Sequence, residues 1–258
     1  MRNLSIVRKL IVYFLLLNIL TVIIISVYSY FRAKDALVER TFDQLTSLRI
    51  EKTYRIESFF EEVIQDIKLI SKTNDVRTII SHLNVSDQPD SLLNAKINEE
   101  YGKFLKKHLF TGKAYNNLYI SDNEGKTVVF RSKDSLNLFF SNDIDESTIS
   151  HFRKTVLKDS SVVPEEFISE LSAGKPAIFA GSPVFNIHHN VIGFVITEIN
   201  IDAINSIMYE NNLHNGLGES GESYLVGKDF LMRSTSRFQN NSVFKTSVKT
   251  NGTKQAFK

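Results

Sequence analysis

The chain has 258 residues, which is enough for one large domain or for a small domain with extensions. Its 42% hydrophobic and 23% charged residues exclude a disordered tail and a polytopic transporter. Because 31 Lys and Arg nearly balance 29 Asp and Glu, and no basic stripe or RNA-binding motif is present, nucleic acid is not an expected partner. The absence of cysteine excludes disulfides, a thiol nucleophile and a Cys-containing zinc site, and the sequence predicts neither a metal nor a cofactor.

Residues 10–31 predict a membrane anchor. The segment carries no charge and exceeds the roughly 20 residues that cross a hydrocarbon core of about 30 Å. A signal peptide has a shorter apolar core, of roughly 7–15 residues, and small residues at its cleavage site, whereas this segment ends in YSYFRAK. Lys and Arg are equally frequent before and after the segment, so charge alone orients it weakly. We place residues 1–9 in the cytoplasm because they are few and include no acid.

A long helix is predicted to continue beyond the anchor. No glycine precedes Gly102 and no proline precedes Pro89, which favours one helix from residue 10 to about residue 71. Apolar residues recur along it at three- and four-residue intervals, as on one face of a helix. They are Val38, Phe42, Leu45, Leu48, Ile56, Phe60, Val63, Ile67 and Ile70, interrupted by the polar RIEKTYR. The face fits either a parallel dimer seam or packing on the chain's own domain; we expect dimer contact near the membrane and intramolecular packing further out.

The second half of the chain predicts an α+β fold. A further helix at about 91–109 is followed by two hairpins, whose strands show alternating apolar residues around turns at 123–125 and 186–190. The predicted strands are 117–122, 126–132, 176–185 and 191–199, and the predicted helices are 145–157 and 202–209. This order indicates an antiparallel sheet with one face under the N-terminal helix. We expect the segment 133–175 to lie over the other face, as lids on binding sites do.

Two motifs have unremarkable interpretations. GLGESG at 216–221 matches the G-x-G-x-x-G pattern, but a dinucleotide site needs a strand before the glycines and a helix after them. Here a predicted helix precedes and the strand-like SYLV follows, so we interpret the motif as a connection between two modules; a nucleotide-dependent enzyme would rest on it alone. His188 and His189 are adjacent in a predicted hairpin turn, where neighbouring side chains diverge and cannot easily share a metal.

Glu198 is the most informative polar residue of the predicted sheet. By the two-residue period of a strand, it shares one face with Ile192, Phe194 and Ile196. A single carboxylate beside three apolar residues is either an edge residue that reaches solvent or an acid at the end of a pocket. In a pocket it would seek an amine or another cation, because burying an unpaired carboxylate is costly.

Three segments resemble the double Cache sensors of bacterial receptors. GLGESGESYLVGKDFLMRSTSRF (216–238) resembles the start of their membrane-proximal module, and TFDQLTSLRIEKTYRIESFF (41–60) resembles the entry to the sensor. IGFVITEINIDAI (192–204) is similar to the last strand and exit helix of their first module. The resemblance implies a cytoplasmic N-terminus, a transmembrane helix, a long stalk helix and two PAS-like modules outside the membrane. It further implies a second transmembrane helix and a cytoplasmic output domain of the chemotaxis, histidine kinase or cyclase type.

On this basis the chain divides into five parts. We expect a cytoplasmic N-terminus at 1–9, a transmembrane helix at 10–31, and the stalk and second helix at 32–110. A first, membrane-distal Cache module then covers 111–212, and the start of a second, membrane-proximal one covers 213–258. Because the chain stops within the second module and before another transmembrane helix, we expect it to be a fragment of a longer protein.

The resemblance also implies ligand-binding residues in the first module. Glu198 stands where amino-acid-binding members carry an Asp that holds the ligand amine, and Phe167 stands near a Tyr of the same motif. The Arg-x-Trp-Tyr element of that motif has no match in this Trp-free chain, so the ligand class stays open. Arg131 is a candidate for binding a carboxylate or phosphate, or else an exposed strand arginine. Ser182 is the fourth candidate.

The predicted function is small-molecule sensing outside a bacterial inner membrane. The chain would cross the membrane once, form a homodimer through its stalk and transmembrane helices, and pass the ligand state to an output domain that it does not contain. It is not expected to be an enzyme. The alternative is a membrane-tethered dimeric scaffold whose PAS-like head binds no ligand, and the two differ in whether the head has a cavity lined by convergent polar groups.

Overall fold

The computed structural model describes residues 6–85, 115–124, 127–131, 139–140, 154–158, 178–209 and 217–258. The helices are α1 (Ile6–Ser71), α2 (Asn74–Val85), α3 (Ile201–Met208) and α4 (Asn251–Ala256). The strands are β1 (Tyr115–Asp122), β2 (Thr127–Arg131), β3 (Phe139–Phe140), β4 (Ile178–Phe185) and β5 (Val191–Ile199). The chain forms two compact units, Met1–Glu51 and Lys52–Lys258.

The first unit is the N-terminal part of α1. This helix contains a segment that is long and apolar enough to cross a membrane, and none of that segment is buried within the chain. Its polar side chains bond to the helix itself: Asn18 Nδ2 donates to the Phe14 carbonyl at 2.9 Å, and Thr21 Oγ1 donates to the Leu17 carbonyl at 2.7 Å. Each of these side chains thus has a hydrogen-bond partner within the helix itself.

α1 ends where the sequence predicts, but a second helix follows it almost at once. The amides of Lys72 and Thr73 donate to the carbonyls of Leu69 and Ile70, which tightens the last turn and stops the helix. Thr73 Oγ1 then accepts from the Val76 amide at 3.4 Å, in the manner of an N-cap, and α2 begins. α2 is absent from the sequence prediction because a single threonine is a much weaker break signal than glycine or proline. The predicted helix at 91–109 lies outside the described residues.

The described strands form one antiparallel sheet in the order β3-β2-β1-β5-β4. All four predicted strands are confirmed within one or two residues at each end, and β5 has the predicted bounds. The turn at 186–190 is held by Asn186, whose Oδ1 accepts from the amides of His188 and Asn190, and both histidines lie exposed in it. Of the predicted helix at 145–157 the structure describes a helical turn at 154–158, and α3 agrees with the helix predicted at 202–209.

One face of the sheet packs against α1 and α2. The buried apolar residues on this side come from both helices and three strands, and they form one continuous core. They include Ile56, Val63, Ile67 and Ile70 of α1, Val76, Ile79, Ile80 and Leu83 of α2, and Leu118, Ile120, Ala180, Val184, Val195 and Ile199 of the sheet. The outer half of the apolar stripe on α1 therefore packs on the chain's own domain, as the sequence predicts.

Lys52 occupies the polar interruption in that stripe. Its side chain is 4% exposed, and its Nζ donates to the Ile207 carbonyl in the last turn of α3 at 2.6 Å. A cation at a helix C-terminus satisfies a carbonyl that has no partner within the helix and interacts favourably with the helix dipole. The interruption is thus a buried polar contact between α1 and α3 rather than a gap in the packing.

Residues 217–258 continue from the sheet module with little regular structure. Residues 217–221 of the GLGESG motif form a turn around Gly218, which has a φ of 63°, and no helix begins within them. Arg237 Nη1 holds this turn by donating to the carbonyls of Gly218 and Gly221 at 2.8 and 3.1 Å. The strand-like SYLV contributes an isolated bridge between Val226 and Met232, and the role of GLGESG as a connection between two modules stays a prediction.

An ion pair organises the middle of this region. Arg233 Nη2 donates to Asp229 Oδ2 at 2.8 Å, and the guanidinium carbon lies 4.7 Å from the centre of the Phe244 ring. Burial alone would raise the pKa of Asp229, but the hydrogen bonds from Arg233 and the Leu231 amide, with the guanidinium charge, hold it below its ordinary value. Leu225 and Phe244 pack against the core of the sheet module, and Thr235 N donates to Asn205 Oδ1 of α3 at 2.9 Å. These contacts join 217–258 to the sheet module.

We predict that the helix-covered core carries the stability of the second unit. Ile67→Ala should lower the free energy of unfolding by about 2–4 kcal/mol, because Ile67 is 1% exposed and its removal leaves a cavity. Leu69→Ala is the matched control on the same helix; with Leu69 66% exposed, the change should stay within about 0.5 kcal/mol. Urea unfolding of the whole chain in detergent micelles measures both. Equal losses for the two variants would contradict the assigned packing face.

Candidate functional site

The sheet face opposite α1 and α2 collects the polar residues of interest. In an antiparallel pair, directly opposed residues share a face, and Asn117 pairs with Glu198 while Tyr119 pairs with Ile196. Phe179 of β4 is in turn paired with Glu198. Five buried residues of the sheet do not belong to the helix-side core: Tyr119, Phe179, Phe194, Ile196 and Glu198. They form a second, separate set of buried residues on this face, which we call the Glu198 face.

Glu198 is the charged residue at the centre of this face. It is 3% exposed. Asn116 Nδ2 donates to its Oε1 at 3.1 Å, and Asn117 Nδ2 and the Tyr119 hydroxyl donate to its Oε2, the latter at 3.3 Å. Hydrogen bonds to a carboxylate are stronger than those between neutral groups, and here they offset the cost of burying the charge. The interpretation of Glu198 as an edge residue that reaches solvent is therefore wrong, and its place at the end of a pocket stays a prediction.

An irregularity in β1 brings both asparagines to the same carboxylate. Tyr115 pairs with Ile199 and Asn117 pairs with Glu198, so β1 advances two residues while β5 advances one. The extra residue is Asn116, which is the signature of a β-bulge. In a regular strand Asn116 and Asn117 would point to opposite faces. The bulge allows both carboxamides to reach Glu198, one to each carboxylate oxygen.

Apolar and aromatic side chains make up the rest of the face. The rings of Tyr119 and Phe179 lie 6.2 Å apart between centroids in a tilted arrangement. Phe194 and Ile196 continue the surface along β5, away from Glu198. Polar groups thus converge at one end of an apolar surface, which is the composition of a small-molecule site. Such a surface can bind an apolar group while a hydrogen-bond donor of the same molecule meets the carboxylate.

The structure brings some of the predicted site residues to this face and not others. Arg131 is the last residue of β2, and its backbone pairs with Asn117, so it stands in the same cross-strand row as Asn117, Glu198 and Phe179. Ser182 lies on the other face, where its hydroxyl is 3.1 Å from that of Ser71 in α1. The structure therefore does not bring Ser182 together with Glu198. Phe167 lies outside the described residues, as does most of the predicted 133–175 cover.

Three contributors to the site escaped sequence reasoning. The sequence predicts only strand positions for Asn117 and Tyr119 and places Asn116 outside the strand, although all three supply hydrogen bonds to Glu198. The one available signal is the pair of carboxamides at the start of a strand that otherwise carries apolar residues. That signal does not identify the partner, because β1 and β5 lie about eighty positions apart in sequence and their register is a property of the fold.

Comparisons with known proteins identify the fold. No family model matches the chain, and no curated protein matches it in sequence. The ligand-binding domain of the Campylobacter jejuni chemoreceptor Tlp3 in complex with 4-methylisoleucine superposes with a TM-score of 0.52 at 12% identity, covering 78% of this chain and 74% of that one. The same domain with L-valine gives 0.51 at 14% identity, covering 76% and 71%. The extracellular domain of the candidate histidine kinase vpHK1S-Z8 gives 0.51 at 10% identity, covering 77% and 71%.

These likenesses confirm the predicted architecture. The chain has the α+β fold of receptor sensory domains, with an N-terminal helix leading into an antiparallel sheet, as its resemblance to Cache sensors implies. At these identities the likeness is one of fold, and the roles of individual side chains follow from the geometry described above.

We predict that the Glu198 carboxylate is matched to its donors. Glu198→Gln replaces one accepting oxygen with an amide that faces Asn donors, so it should lower the free energy of unfolding by about 1–2 kcal/mol. Glu124→Gln, at an exposed position in the turn after β1, is the matched control and should change it by less than about 0.5 kcal/mol. Chemical unfolding of the two variants in detergent provides the comparison. A variant at Glu198 as stable as the wild type would mean that these contacts are not net favourable.

Proposed function

We propose that this chain is the extracytoplasmic small-molecule-sensing region of a bacterial transmembrane receptor, and that it is not itself an enzyme. The observation that carries the proposal is the buried Glu198 carboxylate, held by three donors beside buried apolar side chains on the sheet face opposite α1 and α2. Burying a charge destabilises the fold, and buried charged groups cluster at functional sites, where they contact another molecule.

The alternative function, a tethered scaffold with a non-binding head, accounts less well for this face. A head that only packs against its twin needs apolar surface and shape, and an apolar residue at position 198 would serve it better than a carboxylate. A sensor needs polar groups that converge beside an apolar surface. The Glu198 face has both features, which supports sensing, and the cavity that separates the two functions stays a prediction.

The ligand class follows from the same chemistry. The carboxylate accepts hydrogen bonds, so the ligand should carry an N–H or O–H donor, and the neighbouring Phe179, Phe194 and Ile196 favour an apolar group attached to it. The Tlp3 domain, which shares the fold, has been solved with L-valine and 4-methylisoleucine, molecules that combine an amine with a branched apolar side chain. Aliphatic amino acids are therefore the first compounds to test, alongside other amines. Arg131, in the same cross-strand row, is a proposed partner for a ligand carboxylate or phosphate.

The signal would be a movement that passes along α1, which is one continuous helix. A ligand that contacts two states of the sheet module unequally shifts the population between them. Because residues 52–71 of α1 pack on that module and the same helix contains the apolar membrane segment, a small movement of the packed part can reach the membrane. We propose that an output domain on the cytoplasmic side reads this movement.

We also propose that the chain forms a homodimer through α1. Val38, Phe42 and Leu45 lie on one face of the helix and are exposed in the single chain, and they continue the spacing of the buried stripe. Exposed apolar residues at heptad intervals are typical of a parallel seam between two copies.

The sensing proposal predicts ligand-dependent stabilisation. The whole chain in detergent micelles is screened by thermal unfolding against amino acids, including L-valine and isoleucine, and against other metabolites. A true ligand at a hundred times its Kd should raise Tm by roughly 5–10 °C.

The same screen is repeated with two matched variants. Glu198→Gln should lose most of the shift, whereas Glu124→Gln, in the exposed turn, should keep it. If a broad panel stabilises nothing, the scaffold function is favoured. If a compound stabilises both variants equally, it binds elsewhere and Glu198 is not its partner.

The dimer proposal predicts a specific pattern of cross-links. The chain contains no cysteine, so each introduced cysteine reports one position. Val38→Cys and Leu45→Cys should form a disulfide-linked dimer in membranes under mild oxidation, because residues at the seam face their own copies. Arg40→Cys, which lies on the far side of the helix from Val38, should cross-link at least about fivefold less. Equal cross-linking at all three positions would indicate random collision instead of a seam.

A further inference from the structure

Three consecutive residues at the start of β1 contact both sides of the sheet. Asn116 and Asn117 donate to the Glu198 carboxylate on one face. Tyr115 belongs to the helix-side core, and its hydroxyl donates to Asp66 Oδ2 of α1 at 2.8 Å. The bulge at Asn116 is the point at which the chain changes from one set of contacts to the other.

We propose that this bulge is a mechanical link: a change in the hydrogen bonds that Glu198 accepts shifts the bulge, and the shift is transmitted to α1. The Tyr115–Asp66 hydrogen bond is the contact of this link on the helix. Tyr115 and Asn116 are positioning residues in this scheme. The inference builds on the proposed sensing function by naming how the sensing face reaches the stalk helix.

Contacts on both faces of the sheet hold the residues of this link in place. Each oxygen of Glu198 accepts from a different asparagine, so a ligand donor that bonds to either oxygen shares that oxygen with one of them. β-Bulges are local distortions of the strand and are frequent beside functional sites, where they re-aim side chains. Tyr115 is covalently next to the bulged residue and is buried, so a change in the bulge moves a side chain that is packed against α1.

The Tyr115 hydroxyl is suited to act as a permanent donor. Burial, followed by the hydrogen bond to Asp66 and the negative charges of Asp66 and Glu62, raises the pKa of the Tyr115 phenol well above its ordinary value. The phenol therefore stays protonated at every physiological pH and keeps its proton directed to the carboxylate.

A second contact between α1 and the sheet provides an internal reference. Ser71 of α1 bonds Ser182 of β4 through their hydroxyls, on the same helix and the same face of the sheet but away from the bulge. If the route is specific, the effect of a change at Glu198 on α1 should require the Tyr115 hydroxyl and should not require the Ser71 hydroxyl.

Amide hydrogen exchange of the whole chain in detergent micelles tests the link, with Glu198→Gln as the disturbance. In the wild-type background this variant should raise the exchange rate of peptides that cover residues 60–71 about threefold or more. In a Tyr115→Phe background the same change should add less than about 1.5-fold, because the connection is already cut. In a Ser71→Ala background the threefold effect should persist.

Two further variants keep the test independent of any one substitution. Asn116→Ala should mimic Glu198→Gln by loosening the bulge, and Asp66→Ala should replace Tyr115→Phe if the latter fails to fold. Equal effects of Glu198→Gln in the wild-type, Tyr115→Phe and Asp66→Ala backgrounds, or no effect on 60–71 in the wild type, would overturn the proposal. Because no ligand is used, failure here leaves the sensing function standing, and failure of the ligand screen leaves this link standing.

Discussion

The packing of α1 and α2 on one face of the sheet is the constraint on which the rest of the structure depends. Burying the apolar faces of two helices and three strands removes a large area from water, at roughly 25 cal/mol per Å² of apolar surface. Because side chains alternate along a strand, this choice of face also determines which residues face the other way. Leu118 and Val195 lie under the helices, and Tyr119, Ile196 and Glu198 lie on the opposite face of the sheet.

The burial of Glu198 on this face has to be compensated by hydrogen bonds. A carboxylate removed from water destabilises the fold unless donors replace its hydration. The bulge in β1 brings the carboxamides of Asn116 and Asn117 to Glu198, and Tyr119, the next residue of β1 on the same face, adds its hydroxyl. All three donors therefore come from one short stretch of strand. Three donors and the neighbouring aromatic rings fix the orientation of this carboxylate.

Polar contacts join α1 to the described part of the sheet module in addition to the apolar ones. Lys52 bonds the end of α3, Asp66 bonds Tyr115 of β1, and Ser71 bonds Ser182 of β4. Apolar packing sets how strongly a helix is held, whereas directional hydrogen bonds set its position along and around its axis. Such contacts are what a sensor needs if small shifts of a helix are to carry information. They also explain why Ser182 is buried and polar without belonging to the Glu198 face.

The sequence by itself determined the membrane segment, the long helix, the strands and their turns, and the inward face of α1 beyond residue 55. These features depend on local periodicity and on residues that break it, which single-chain patterns record directly. Only the tertiary structure decided that Lys52 is buried, that Ser182 and Glu198 lie on opposite faces, and that Asn116, Asn117 and Tyr119 converge on one carboxylate. The physical reason is that strand alternation relates residues within a strand, while the register between β1 and β5 and the bulge within it arise from pairing across a long stretch of chain.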